Sequence, residues 1–273
     1  MSALVNVIVM LGMLFVVPAG LCLMDPVRLA PVRRTWPLFA VAGSVALWLP
    51  RGTAAVALAA VYALGTLVLA VQAPRRLLRT RSLAPAECAV LTALVTPSVA
   101  GVALVAERAG HELFGFSLPI LALTVPHFHF AGFAAALVAG LVCGAADGTG
   151  LARFAALSVP AGTLLVLGGY FTGDRAELAG ALVLTAGMWA VALLTWRDVR
   201  AGVRDRVTRA LLGISAAVLV ATMLLALSWA VGEAADLPHP NLTWMAATHG
   251  LGNALGFALC SVLAWRRLKE TPA

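Results

Sequence analysis

Charge is what this sequence has least of. Only 11% of its 273 residues are Asp, Glu, Lys or Arg, and 62% are hydrophobic. A soluble domain carries roughly 25% charged and about 45–50% apolar residues. With so few charges the chain cannot bury a core and still cover its outside with polar groups. That excludes a water-soluble globular domain and makes lipid the solvent for most of its surface. Lysine occurs once, at Lys269, and every other basic residue is arginine. Cysteine is sparse: Cys22, Cys88, Cys143 and Cys260 lie in or beside apolar runs, and none forms a C-x-x-C pair. This argues against a disulfide framework and a zinc knot. The phosphate-binding G-x-x-x-x-G-K-[ST] loop, H-E-x-x-H and G-x-S-x-G are all missing. So is a D-x-x-x-D pair that would hold magnesium against a prenyl diphosphate. The net charge of +7 would suggest nucleic acid in a soluble protein. Here the basic residues punctuate apolar runs, no basic domain with interleaved aromatics remains, and nucleic acid is not an expected partner.

What the chain has instead is apolar runs, at about 3–24, 36–50, 53–72, 86–106, 118–143, 151–172, 178–196, 208–231 and 241–265. A helix needs about 20 residues to cross a bilayer core, and most of these runs suffice. The second is short and is followed by Leu49-Pro50-Arg51-Gly52, a helix-breaking turn. The segments between runs test the topology. One alternate set holds Arg28, Arg33, Arg34, then Arg75, Arg76, Arg79, Arg81, then Arg153, then Arg197, Arg200, Arg204, Arg206, Arg209, and finally the tail with Arg266, Arg267 and Lys269. The other set holds Arg51, Arg108 and Arg175. A 16-to-3 split in strict alternation predicts about nine spans, with the N-terminus outside and the C-terminus in the cytoplasm. The expected fold is an all-α polytopic transmembrane bundle forming one integral membrane domain over 1–273, with the bilayer as partner and the inner (cytoplasmic) membrane as location. The first run lacks a positive n-region and reads as a retained span.

Polar residues at membrane depth are costly and mark candidate sites. The fifth run contains Pro126-His127-Phe128-His129-Phe130-Ala131-Gly132-Phe133. Its two histidines lie roughly 14–16 Å from the outer end at 1.5 Å per residue. Pro126 leaves a carbonyl one turn earlier without its partner, as in helices broken beside a cavity. The ninth run contains His249-Gly250-Leu251-Gly252-Asn253-Ala254-Leu255-Gly256-Phe257. His249 lies at a similar depth, roughly 12 Å in. Asn253 is four residues on, along the same helical face. Buried histidines often only bond a neighbouring helix; three at matching depth argue for a site. On a regular helix His127 and His129 face opposite ways, so one faces the site and the other packs or orients it. The outer loop before the fifth run holds Glu107, Arg108, His111 and Glu112, with Glu112 as a candidate acid. Glu233, Asp236 and His239 precede the ninth run in the same way, and Asn6 in the first run can hydrogen-bond into the bundle.

On the stretches His127-Phe128-His129-Phe130-Ala131-Gly132-Phe133 and His249-Gly250-Leu251-Gly252-Asn253-Ala254-Leu255-Gly256-Phe257, the chain resembles the YndJ-like family of bacterial integral membrane proteins, with its H-F-H-[FY]-A-G-F and H-G-x-x-N-A-x-G-F patterns. The resemblance implies that His127, His129, His249 and Asn253 belong to a shared site. It names no reaction.

Histidine ordinarily titrates near neutrality and can trade protons. The first expectation is therefore a membrane-embedded enzyme, isomerising or cyclising an apolar, lipid-soluble substrate, terpenoids among the candidates. His127, His129, His249, Asn253 and Glu112 carry the chemistry, and Phe128, Phe130, Phe133, Trp244 and Phe257 flank the pocket. Two alternatives stand beside it. One is a redox protein whose paired histidines ligate haem or metal. The other is a small-molecule transporter or sensor subunit. No cofactor is named by the residues themselves.

Overall fold

A backbone in hydrocarbon must satisfy its own hydrogen bonds, so apolar sequence in lipid becomes helix. The structure, a computed structural model describing residues 2–270, has this character. Nine helical segments follow one another: α1 Ala3–Met24, α2 Ala30–Ala46, α3 Thr53–Thr80, α4 Pro85–Ala109, α5 Leu118–Ala145, α6 Gly150–Thr172, α7 Asp174–Gly202, α8 Arg206–Ala235 and α9 Leu242–Glu270. All but α2 are long and apolar enough to cross a membrane, which makes this a multi-pass membrane protein. Among the described residues the only β contact is an isolated bridge between Leu113 and Phe116, across a turn where Phe114 and Gly115 have positive φ.

The second apolar run and the helix it belongs to do not coincide. The run covers 36–50, whereas the helix starts at Ala30 with Pro31 in its first turn and stops at Ala46. Arg33 and Arg34 are wound into its beginning, because charged side chains at a helix end leave the backbone ladder intact while ending the apolar pattern. Its 17 residues span about 25 Å, short of a hydrocarbon core of about 30 Å.

The chain forms two compact units. One comprises Met1–Ser82 with Val90–Ala134, the other Leu83–Ala89 with Ala135–Ala273. In the second, α6 and α7 approach backbone to backbone. A Cβ on Gly162 would lie 2.6 Å from the Leu184 backbone, and one on Gly180 would lie 2.5 Å from that of Val166. Small residues permit this contact where no hydrophobic effect drives helices together. Further along, Ser215 on α8 and Ser261 on α9 share a hydrogen bond of 2.5 Å.

Several helices contain widened π turns, at Gly12–Val16 in α1, Phe128–Ala134 in α5, Thr195–Val199 in α7, and Ala246–Gly250 and Gly252–Leu259 in α9. Such turns change which carbonyls are left for side chains. In α1 the Val17 N–H reaches back to the Gly12 carbonyl, so the Met13 carbonyl loses its regular partner. The next residue in register is Pro18, which has no N–H. The indole N–H of Trp36 on α2 takes its place at 2.7 Å.

The charged residues expected in the loop after the fourth run instead close α4. Glu107 and Arg108 stand in its last turn and are buried. They tolerate burial because each is paired. Glu107 accepts from Arg51 at 2.9 Å and from Arg108. Arg108 also donates to the Leu49 carbonyl at 3.1 Å and to those of Ala46 and Leu47, at the end of α2 and just past it. A cation at a helix C-terminus answers both the orphan carbonyls and the dipole. Asn6 donates to the same Leu47 carbonyl at 3.0 Å, the inward hydrogen bond expected of it.

Candidate functional site

His129 sits at the start of the π turn of α5, completely buried in the first unit. Its Nδ1 lies 2.7 Å from the Val125 carbonyl. A carbonyl can only accept, so in the neutral ring Nδ1 carries the proton and Nε2 is left as acceptor. Tyr62 of α3 meets that atom and donates its hydroxyl. The Tyr62 ring stacks beside the imidazole at 5.9 Å, and its other side meets the edge of Trp36, also at 5.9 Å. Tyr62 and Trp36 are buried like His129. The packing leaves nothing spare. A Cβ on Gly12 would stand 3.0 Å from His129, and one on Gly43 2.7 Å from the Tyr62 ring. His129 is thus tethered on both nitrogens and packed against α1 and α3.

His127 ends the regular part of α5, half-buried, with its ring 5.6 Å from that of Phe128. Pro126 does not break the helix. The Phe128 N–H reaches the carbonyls of Thr124 and Pro126, and the π turn takes up the irregularity. The aromatic residues expected to flank a pocket mostly do something else. Phe128, Phe130, Phe133 and Phe257 are buried as core, and Trp244 is exposed. They are large and apolar, and burial against neighbouring helices gains dispersion contacts at every face.

His249 belongs to the second unit. Its Nδ1 is 2.8 Å from the Thr222 carbonyl of α8, which again puts the proton on Nδ1. Asn253 donates through Nδ2 to His249 Nε2 at 3.1 Å. The Asn253 carbonyl oxygen accepts from the Thr222 hydroxyl at 2.9 Å. Thr222, His249 and Asn253 therefore close a ring of three hydrogen bonds in which each group orients the next. The predicted His249–Asn253 pairing is present. A Cβ on Gly252 would stand 2.8 Å from the Thr222 methyl, so glycine lets α8 approach here.

The two imidazoles are held alike and exposed differently. Each gives Nδ1–H to a main-chain carbonyl and receives a side-chain donor at Nε2. Yet α5 is 78% buried over its span and α9 only 28%. His129 is sealed, whereas His249 and Asn253 are half-buried, on the least buried of the candidate spans. Glu112 lies exposed in the loop between α4 and α5, beside the exposed His111. In the loop before α9, His239 Nε2 meets Glu233 at 2.8 Å. Among the described residues no three His, Cys, Asp or Glu side chains gather as a metal-binding group.

Sequence reasoning passed over two partners. Tyr62 carries a signal in its rarity, as one of two tyrosines in the chain. Thr222 carries one in its spacing: it follows Ser215 by seven residues, two helical turns, and both point a hydroxyl at α9.

A family model described as YndJ-like protein matches residues 7–257, a range that takes in both imidazole clusters. No curated protein and no solved structure matches the chain.

Proposed function

We propose that this chain, which belongs to the YndJ-like family, is a membrane-embedded enzyme moving protons on an apolar, lipid-soluble substrate, with His249 as its acid–base group. The observation that supports this reading is the ring of Thr222, His249 and Asn253 on the least buried of the eight candidate spans. With its proton fixed on Nδ1, neutral His249 offers Nε2 as the basic atom. Asn253 holds that atom in the absence of substrate and yields it when a C–H bond arrives from the lipid side. Isomerisation then needs nothing beyond the chain. Nε2 takes a proton from one carbon and the double bond shifts. The imidazolium, stabilised through Nδ1–H by the Thr222 carbonyl, returns the proton to another carbon. Cyclisation begun by protonating an alkene uses the same atom in the opposite order. His129 is assigned a positioning role within its own unit, because Tyr62 and the Val125 carbonyl already hold both its nitrogens. His127 is half-buried and Glu112 exposed, and neither is needed for this step.

The test works with the substrate still unidentified. Purified protein is incubated with extracted membrane lipids in deuterated water, and apolar lipids are screened by mass spectrometry for carbon-bound deuterium. The wild type should label a lipid, and His249→Ala should lose the labelling while expressing and migrating normally. Labelling that survives in His249→Ala refutes the assignment.

The same reading puts the protein in the inner (cytoplasmic) membrane, N-terminus outside and C-terminus inside, supported by the 16-to-3 arginine and lysine asymmetry. That arrangement requires α2 to cross despite its length. Reporter fusions at the two ends reporting the same side would show that it does not.

A further inference from the structure

Four arginines do more than mark the ends of spans. Arg28, in the turn between α1 and α2, and Arg75, Arg76 and Arg79, in the last turns of α3, line one partly open cavity of about 40 Å³. Asp25 is the only carboxylate on its wall, so the lining carries four positive charges against one negative. Asp25 is already engaged: it accepts from the Arg28 backbone N–H at 3.0 Å and from Arg79 at 3.4 Å. Among the described residues the side chains of Arg28 and Arg75 have no ion-pair or hydrogen-bond partner. Both are exposed, so water solvates them and their planar donors are free to meet an anion. Positive-inside topology asks only that cations be near the ends of spans, and it gives no reason to gather them around a cavity.

The surroundings say which anion. Leu29 and Leu94 form part of the same wall, so the cavity has apolar as well as cationic lining. Val27, next to Arg28, is 79% exposed, and Leu78, next to Arg79, is 76% exposed. A free phosphate uses the arginines and leaves those side chains idle. A phospholipid uses both, with its phosphodiester among the guanidiniums and its acyl chains over Val27 and Leu78. Planar guanidiniums suit phosphate oxygens, and basic pockets between membrane helices are known sites for anionic headgroups. We propose that this cavity binds the headgroup of an anionic phospholipid, independently of any reaction at His249.

The experiment uses the full chain purified in mild detergent, mixed with equal amounts of phosphatidylglycerol and phosphatidylcholine, with retained lipid counted by native mass spectrometry. The wild type should retain phosphatidylglycerol preferentially. Losing Arg28 and Arg75 together, as Arg28→Gln with Arg75→Gln, should weaken that preference roughly 30-fold, since each cation near the surface contributes about a fivefold effect. Arg204→Gln with Arg209→Gln removes the same charge outside the cavity and should leave the preference intact. No preference in the wild type, or an equal fall in both double variants, overturns the proposal. So does displacement of the lipid by inorganic phosphate at matching concentration, which would make the cavity a free-anion site.

Discussion

Replacing Tyr62 with Phe is the sharpest test of how His129 is held. The change deletes one hydroxyl and nothing else, so the ring still packs against Trp36 and over Gly43. What is lost is the donor to His129 Nε2, with Nδ1 still committed to Val125. Two magnitudes compete. Hydrogen bonds between membrane helices average only about 0.6 kcal/mol, because the unfolded chain in lipid finds other partners. A buried acceptor left without any partner costs about 1–3 kcal/mol. His129, Tyr62 and Trp36 are at most 1% exposed, so neither water nor a neighbouring side chain can replace the hydroxyl, and the second figure governs. We expect Tyr62→Phe to destabilise the protein by about 1–2 kcal/mol, roughly a tenfold change in the folded-to-unfolded ratio. Steric trapping in bicelles would measure it. The same substitution on a His129→Leu background should cost almost nothing, since the acceptor is gone. If Tyr62→Phe is indistinguishable from wild type while Tyr62→Leu is not, the tyrosine only fills space and the proton assignment on His129 is wrong.

Three other outcomes are expected. Glu107→Gln leaves buried Arg108 without its counter-charge and should cost about 3 kcal/mol in the same assay, far more than Glu112→Gln in the exposed loop. Thr222→Val removes the hydroxyl that orients Asn253, and should lower the rate of deuterium labelling about tenfold without abolishing it, while His249 keeps its main-chain bond. Asp205 caps α8 by accepting from the Thr208 hydroxyl and N–H, and it also meets Arg267 at 3.1 Å. These contacts, the Thr208 hydroxyl first, hold its carboxyl well below the usual carboxylate range. A lowered folded pKa means that its stabilisation is complete above about pH 4 and fades as pH falls further. Thermal melts should show that acid loss in the wild type and not in Asp205→Asn.

Most of the helical architecture is legible in the sequence because lipid leaves a chain few options. Apolar length alone locates the eight long helices to within a few residues, apart from ends where Arg and Asp extend a helix beyond its apolar part, as at Thr80 and Gly202. Helix α2 is misplaced by the same reasoning, its first turns being polar. Within the sites, His249 and Asn253 can be paired because both lie on one helix, where spacing dictates proximity. The rarity of Tyr62 and the spacing of Thr222 from Ser215 single them out, but neither says which histidine each meets, because those contacts are set by how separate helices pack and by where π turns fall. The burial of Glu107 and Arg108 is hidden for a related cause: a charge reads as solvated until its partner, here Arg51 from 56 residues earlier, is brought beside it.

The bonding around His129 runs one way, from the tyrosine hydroxyl through the imidazole to Val125. A peptide carbonyl has no hydrogen to hand on, so this line is a cul-de-sac for proton traffic. An imidazole held in this way is a fixed strut and not a relay.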